Sequence, residues 1–395
     1  MPKFLKQKMQ QATTLMNELP LPRAEKTNIK TFGYENIEVK QSDITLGLPK
    51  EVSHLVEESE AQVIVVKDGV IVYQNVEGVE IADLETVSSQ EDVFASHFMN
   101  VANVQEHYLT AQHVAHLNSG LFIHVPRNTV VADAINIVYV QQSGSFMHHT
   151  LVVADTSSSV KIIENYVTNE PALVNVMTEV VVKDNAQVEH ASLDHFDKTA
   201  TVYSKKAASV LNHGRYLLSL GALNDGNVVY ETNVNLNGEG AFSEVKTVGI
   251  SDDVQKQNLT IAIEHFAPYT EGYIVNHGVS KDEGQLVFNG IGKINKGMHH
   301  SVAKQETRSM ILSERAVAAA NPILLIDEYD VSAGHAAGVG KIDEEQLYYL
   351  MSRGLSRQQA EILIIYGFLM PFVEDIKNEK LQALFTTIIE QKINL

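Results

Sequence analysis

The sequence contains no cysteine and no tryptophan. Without thiols there is no disulfide framework, no thiolate nucleophile and no cysteine-ligated zinc. Any metal held by this chain alone has only His, Asp and Glu to bind it. Positive charge is also scarce: 30 Lys plus Arg stand against 49 Asp plus Glu, a formal net charge of -19. That balance excludes a general nucleic-acid binder, which needs a basic footprint to displace counterions, and disfavours docking on an anionic membrane. No apolar run approaches the length of a bilayer span. The amino terminus, MPKFLKQKMQQATTLMNELP, lacks an apolar signal core ending in a small-residue cleavage site, so a cytoplasmic location is expected.

What is present begins with 395 residues at 44% hydrophobic content, enough for a sizeable core and more than one structural region. Residues 1–120 mix element types. Leu5, Met9, Ala12, Met16 and Leu19 recur at helical spacing until Pro20 and Pro22 stop them. Gln62–Gln74 (QVIVVKDGVIVYQ) reads as two strands around a Lys-Asp-Gly turn, and Asn103–Gly120 as a helix closed by Gly120. Residues 121–337 change character: short β-branched strands such as INIVYV, TLVVAD and LTIAIEH follow one another between Asn-, Asp- and Gly-containing turns. A sandwich, a barrel or a solenoid would all give this pattern, and no strict sequence period selects the solenoid.

Residues 338–395 read as helical. Asp343 with Gln346, and Ser356 with Gln359, have capping-box spacing. The stretch Ile362–Leu369 is apolar nearly all round, the signature of a helix buried or covered by a partner. Pro371 is expected to kink or end it. A last helix carries Leu381, Leu384, Phe385, Ile388 and Ile389 on one face.

One stretch imitates a phosphate loop. SAGHAAGVGKIDEEQ (Ser332–Gln346) has glycines and Lys341 before a helix, but five residues separate Gly334 from Gly340, and Ile342 stands where the magnesium-binding hydroxyl is needed. Nucleotide binding there is therefore not expected.

Three longer segments, SGLFIHVPRNTVVADAINIVYV (Ser119–Val140), HHTLVVADTSSSVKIIENY (His148–Tyr166) and NPILLIDEYDVSAGHAAGVGKIDEEQLYYLMSRGLSRQQAEILIIYGFL (Asn321–Leu369), resemble the SufB/SufD family. These are scaffold subunits of the SUF iron–sulfur cluster assembly complex. The absence of cysteine and the chain length point to the SufD branch. The resemblance implies a mainly β fold: a right-handed parallel β-helix core flanked by α-helical N- and C-terminal regions. It further implies a non-catalytic role. The β-helix would pair with SufB, and the C-terminal helices would bind the ATPase SufC. An iron–sulfur cluster would be shared transiently with SufB, and no cofactor would reside on the isolated chain. The family's functional histidine falls on His335, and many relatives carry a cysteine where this chain has Ala333, so any thiolate must come from the partner. Tyr348, Arg353, Tyr366 and Phe368 are candidates for partner contact. In isolation a homodimer is conceivable, since an edge that pairs with a paralogue could pair with itself.

Beside that expectation stand the readings from residues alone. His335 reads equally as a histidine satisfied in a glycine-rich turn. His113 and His116 lie three apart on the expected helix and could share a face. The adjacent His148–His149 and His299–His300 cannot point one way if they lie on strands. Asp327, Glu328 and Asp330 could offer hard oxygen ligands or form a solvated acidic edge. Two rival functions remain: a carbohydrate-active β-helix enzyme, and a SufB-like scaffold holding the cluster itself.

Overall fold

A computed structural model describes residues 1–37, 62–87, 91–141, 144–168, 173–374 and 379–394. The Lys-Asp-Gly turn joins β1 (Gln62–Lys67) to β2 (Val70–Gln74) as an antiparallel hairpin, and β3 (Glu80–Asp83) follows. The main series comprises β4 (Ser119–Val125), β5 (Ile135–Gln141), β6 (Phe146–Ala154), β7 (Ser159–Thr168), β8 (Leu173–Val182), β9 (Gln187–Asp194), β10 (Thr201–Val210) and β11 (Arg215–Ala222). It continues through β12 (Asn227–Leu236), β13 (Phe242–Ser251), β14 (Lys256–His265), β15 (Glu271–Ser280), β16 (Gln285–Ile294), β17 (Val302–Ile311), β18 (Val317–Ile326) and β19 (Ser332–Lys341).

From β4 onward the strands alternate between two sheets. The eight even-numbered strands join β3 in a nine-stranded sheet and the eight odd-numbered strands join β1 and β2 in a ten-stranded one, each pairing in parallel with the strand two places along. This is a parallel β-helix, as the family resemblance implied. Its coils do not have one length. Side-chain bonds between equivalent turns of successive coils span 27 residues at Asn212–Glu239, 28 at Asp184–Asn212, 29 at Asp253–Asp282 and 31 at Asp282–Ser313. A drifting coil length is why no sequence period is visible.

The repeat is instead conformational. At seven successive turns from the nine-stranded to the ten-stranded sheet, a residue at the equivalent position lies in the left-handed region: Asn128, Ser157, Asn185, His213, Gly240, Tyr269 and His300. The N–H of each donates to a carbonyl in the equivalent turn of the next coil, from Asn128 to Thr156 (3.1 Å) through His213 to Glu239 (2.9 Å) and finally His300 to Asp330 (2.6 Å). The turn backbone, which a loop would normally leave to water, is thereby paired along the solenoid.

Within each strand the side chains alternate between the interior and an outer face. Leu218, Val245 and Ile274 stack inside in register, and Tyr216, Leu220, Tyr230 and Phe288 fill the space between the sheets. The early coils also enclose charge. Glu164 accepts from Lys206 Nζ at 2.6 Å, lies 2.9 Å from His190 Nε2, and receives the Thr178 and Tyr139 hydroxyls. Burial works to raise the Glu164 carboxyl, but Lys206 and then His190 hold it well below the usual carboxylate range.

Helices cover the outer faces. On the nine-stranded sheet, α1 (Lys3–Glu18), α2 (Glu91–His97) and α3 (Tyr108–Ala115) bury Leu5, Phe94, Leu109 and Val114 against Phe122, Met147, Leu151 and Tyr203. The helix expected to run to Gly120 stops at Ala115, and His116 caps it. Beyond it, Asn118 already bonds to β6 and its approach, its N–H to Met147 and its amide to the Ser145 carbonyl. Gly120 belongs to β4, where a Cβ would meet Leu84 at 2.6 Å. That glycine serves close approach rather than helix termination.

On the ten-stranded sheet, α5 (Arg357–Glu374) and α6 (Glu379–Asn394), reached through α4 (Glu344–Ser352), bury Ile365, Leu369, Phe372, Phe385 and Ile389 against Ile163, Leu193, Val248 and Val279. Each such side chain contributes about 1.5–3 kcal/mol when fully buried. Pro371 does not end α5, which continues to Glu374, because Phe372 and Val373 beyond it are locked into this cluster. The side chains of Leu381 and Leu384 lie outside those described.

His213 tests the turn stack cleanly because it is exposed and held at φ 54°. His213→Gly should leave the urea midpoint within about 0.5 kcal/mol of the parent, relief of the left-handed strain offsetting the added unfolded-state freedom. His213→Val should destabilise by about 1–2 kcal/mol.

Candidate assembly face

The two ends of the solenoid are finished differently. At the N-terminal end the ten-stranded sheet closes with β2 and the nine-stranded sheet with β3, both antiparallel to their neighbours. Ile71, Val76, Val79 and Ile81 pack there against the core. At the other end the sheets stop at β18 and β19. Among the described residues no strand pairs with their outer edges. The helices that follow turn back over the face of the ten-stranded sheet rather than across this end. β19 is exposed along nearly its whole length, and Val317, Ile323, Leu325 and Val339 are large apolar side chains in solvent. Two bare strand edges with exposed apolar residues are a ready surface for strand addition.

His335 lies in the middle of β19, not in a loop leading to the helices. It is opposite Gln305 in the row that runs inward through Ile274, Val245 and Leu218. Among the described residues its ring has no hydrogen-bond or ion-pair partner, so its nitrogens are free for an incoming group.

Two of the nearby carboxylates are otherwise engaged. Glu328 accepts from the Gly297 and Tyr329 N–H groups at 2.8 Å each, and these bonds lower its pKa. Asp330 pairs with His300 at 3.2 Å. Both serve the turn before β19.

Of the four partner-contact candidates, Tyr348 projects from α4 at 76% exposure, and Arg353 caps α4 with its guanidinium over the Tyr349 ring. Phe368 is turned inward, stacked on His277 of β15 with centroids 5.1 Å apart. Tyr366 is half-buried, and burial, reinforced by the Glu390 carboxylate, raises its phenol. Helix α5 is apolar all round because it has two covered sides. One meets the sheet and α6; the other meets α4 through Ala360, Ile364 and Leu347. Among its described side chains, only Leu363 is a large apolar one left in solvent. Ser356 and Gln359 form the reciprocal cap the spacing predicts, Ser356 N donating to Gln359 Oε1 at 2.9 Å and Gln359 N to Ser356 Oγ at 3.2 Å.

Among the described residues, no other histidine forms a metal site with His335. His113 is buried and meets His149, not His116, with 3.1 Å between Nε2 and Nδ1. Burial, and then the neighbouring His149, lowers His113 to about 3, so it is neutral. His149 points outward from β6 and lies 3.1 Å from Glu179. That carboxylate also accepts the N–H groups of Met99, Val101 and Ala102, anchoring the N-terminal helical layer. His148 points the other way, into the interior beside Ser119 and Thr150, as strand alternation requires. His299 and His300 sit in a turn with Tyr269.

Among the described residues, Glu106, His107 and Glu231 are the one trio of possible ligands within mutual reach. It already holds a cation. Lys205 Nζ lies 2.5 Å from Glu106 and 3.1 Å from Glu231, and His107 Nδ1 accepts from the Leu109 and Thr110 N–H groups. That leaves the proton of neutral His107 on Nε2, which faces Glu231 and cannot ligate. Burial works to raise Glu231, yet Lys205 and His107 hold it well below its ordinary range. Neither this group nor the Glu164 cluster was anticipated from sequence, because the contributing residues are dozens of positions apart.

A family model described as the SUF system FeS cluster assembly SufBD core domain matches residues 137–368. The iron–sulfur cluster assembly protein SufD of Bacillus subtilis (strain 168) is 37% identical over 413 aligned residues, covering 99% of this chain and 94% of that protein. The chain belongs to the SufBD family. Iron–sulfur cluster assembly SufBD family proteins of Staphylococcus saprophyticus and Staphylococcus aureus (strain MRSA252) are each 27% identical over 87% of this chain and 75% of theirs. Membership assigns this SufBD protein a role in iron–sulfur cluster assembly. Among the described residues no helix is long and apolar enough to cross a membrane.

The helices behind the assembly face are anchored by charge as well as by packing. Lys392, buried on α6, donates to the Asn224 carbonyl at 2.5 Å and lies 3.0 Å from Asp225 and 3.3 Å from Asp252. Burial works to raise Asp225, but His195 and Lys392 bring it from 3.8 down to about 2. Because the folded value lies below the ordinary one, its stabilisation is complete above about pH 4 and is lost as pH falls toward 2. Asp225→Asn should therefore cost at most about 1 kcal/mol at neutral pH, allowing for solvent around a partly exposed carboxylate. It should also flatten the acid limb of stability in that window. Denaturation across pH, with hydrogen exchange of α6 as the local probe, checks both.

Proposed function

We propose that this protein is a non-catalytic scaffold subunit that pairs through the bare ends of β18 and β19 with the solenoid of a SufB partner. The observation that carries the reading is the unequal finish of the two solenoid ends, one sealed by antiparallel strands and one presenting open edges with Val317, Ile323, Leu325 and Val339 in solvent. In this reading the α4–α5 hairpin binds the ATPase SufC through Tyr348, Arg353 and neighbouring exposed side chains, and ATP is bound on that partner. The inward positions of Tyr366 and Phe368 give them the supporting part of that surface. Phe368 holds α5 on the sheet through His277, and Tyr366 faces Glu390 of α6, so that α4 is presented rigidly.

The cluster is cargo. A thiol-free chain offers iron an imidazole at His335, which suits ferrous iron as a borderline ligand, while thiolate and sulfide come from the partner. No cluster resides on the isolated chain. Movement of SufC subunits would be transmitted through α5 and α6 into the sheet they cover, and from there to β19, which shares that sheet.

Co-purification of tagged chain with SufB and SufC, followed by iron and labile-sulfide analysis, tests this. Val339→Lys on β19 is expected to abolish capture of SufB while the isolated chain keeps its melting temperature. His335→Ala is expected to leave the complex assembled but lower its iron and sulfide content several-fold. Undiminished SufB capture by Val339→Lys would overturn the pairing; unchanged iron in His335→Ala would overturn the role of the imidazole.

A further inference from the structure

Residues 23–28 cross the outer face of the nine-stranded sheet toward its bare edge. The Glu25 carbonyl and Thr27 hydroxyl accept from Asn258 of β14, each at 2.8 Å, and the Lys26 carbonyl accepts from Gln285 of β16 at 2.7 Å. The Lys26 ammonium then reaches β18, donating to Asn321 Oδ1 at 2.6 Å. Beneath this strap lies a run of amides with one polarity. Asn321 Nδ2 donates to Asn289 Oδ1 at 2.8 Å, and Asn289 Nδ2 donates to Asn258 Oδ1 at 3.1 Å. Every amide hands its proton away from the open end, so the ladder presents an acceptor at β18, and Lys26 caps it.

Two facts mark Lys26 as more than a tie. It is an exposed residue held in the left-handed region, at φ 59°, where glycine or asparagine would sit without strain. Among the described residues its ammonium has no carboxylate partner, in a chain of net charge -19. An ammonium has three N–H donors and one is used on Asn321, so Lys26 brings two free, charged side-chain donors to this edge.

We propose that the strap is part of the assembly face, and that Lys26, positioned by Asn321, receives a carboxylate side chain from the partner strand that adds to β18. The inference rests on the pairing described above and names the chemistry that pairing requires. Drying an ammonium inside an interface demands an anion, and a charge-assisted bond at one register position selects a single alignment of the added strand.

The test uses the full chain and the purified SufB–SufC subcomplex, with affinity measured at low and high salt and the melting temperature of each isolated variant. Lys26→Gly should leave the isolated chain as stable as the parent or more so, because the left-handed strain is relieved, yet weaken binding about tenfold at low salt. Lys26→Gln, which can still bond to Asn321 but lacks the charge, should bind like the glycine variant, and Lys26→Glu more weakly still. The differences should fade in about 1 M salt, where screening acts within roughly 3 Å. If Lys26→Gly lowers the melting temperature and leaves affinity unchanged, the strap is structural only and the proposal is overturned. Lys26→Gln binding like the parent would also overturn it, since a neutral acceptor would then suffice. Ile323→Lys, on the same edge strand, separates the two levels. If it abolishes binding while all Lys26 variants bind normally, the carboxylate contact alone is wrong; if it binds normally, the pairing through β18 is wrong and this contact falls with it.

Discussion

The structure depends on parallel hydrogen bonding between coils, and above all on the turns that keep it continuous. A strand pair can be extended indefinitely, but a solenoid needs a corner that stacks on its predecessor without leaving polar backbone unpaired. Here a left-handed residue at each of seven successive turns supplies that corner, and its N–H meets a carbonyl in the corner that follows. Everything else is hung on this column. It brings inward rows into register, which lets Leu218, Val245 and Ile274 form a continuous core. It also leaves two outer faces flat enough to take helices, and it carries the register out to β19, where His335 stands at a defined position in the same row.

The charged groups of the interior and outer faces serve position more than chemistry. Glu164, Lys206 and His190 come from β7, β10 and β9, so satisfying them requires correct stacking of several coils at once. Removing one partner of such a group is strongly destabilising because it leaves the other buried and unpaired. Glu179 does the same on the outside, gathering three backbone N–H groups of the segment after α2. These carboxylates are committed to holding the coils and the N-terminal helical layer in place.

Much of this was legible in the sequence, for reasons that differ by element. Short β-branched runs bounded by turn residues gave the strands, and Ser356 with Gln359 gave a helix start that the structure reproduces bond for bond. The coil repeat was hidden because the corner requires a backbone conformation, not a residue type: Asn, Ser, His, Gly and Tyr all occupy it, at intervals that drift. A search for left-handed-tolerant residues before each strand could have detected only the Asn128, Asn185 and Gly240 members. Gly120 misled because a glycine needed for tight packing looks the same as one that ends a helix. Pro371 misled because local chain preference yields to the packing of Phe372 and Val373. His335 was found through family resemblance; nothing in its local pattern distinguishes it from a turn histidine. The strap and its amide ladder could not be read at all, since Lys26 and Asn321 are 295 residues apart.

The sealed N-terminal end has a consequence for stoichiometry. Parallel solenoids with two growing tips behave as monomers of a linear polymer, each addition regenerating the site it consumed. In the pairing proposed here, the β2–β3 end, with Ile71, Val76, Val79 and Ile81 folded against the core, would act instead as a chain terminator: a molecule that spends its open tip would leave none behind, and edge-to-edge growth would halt at a pair.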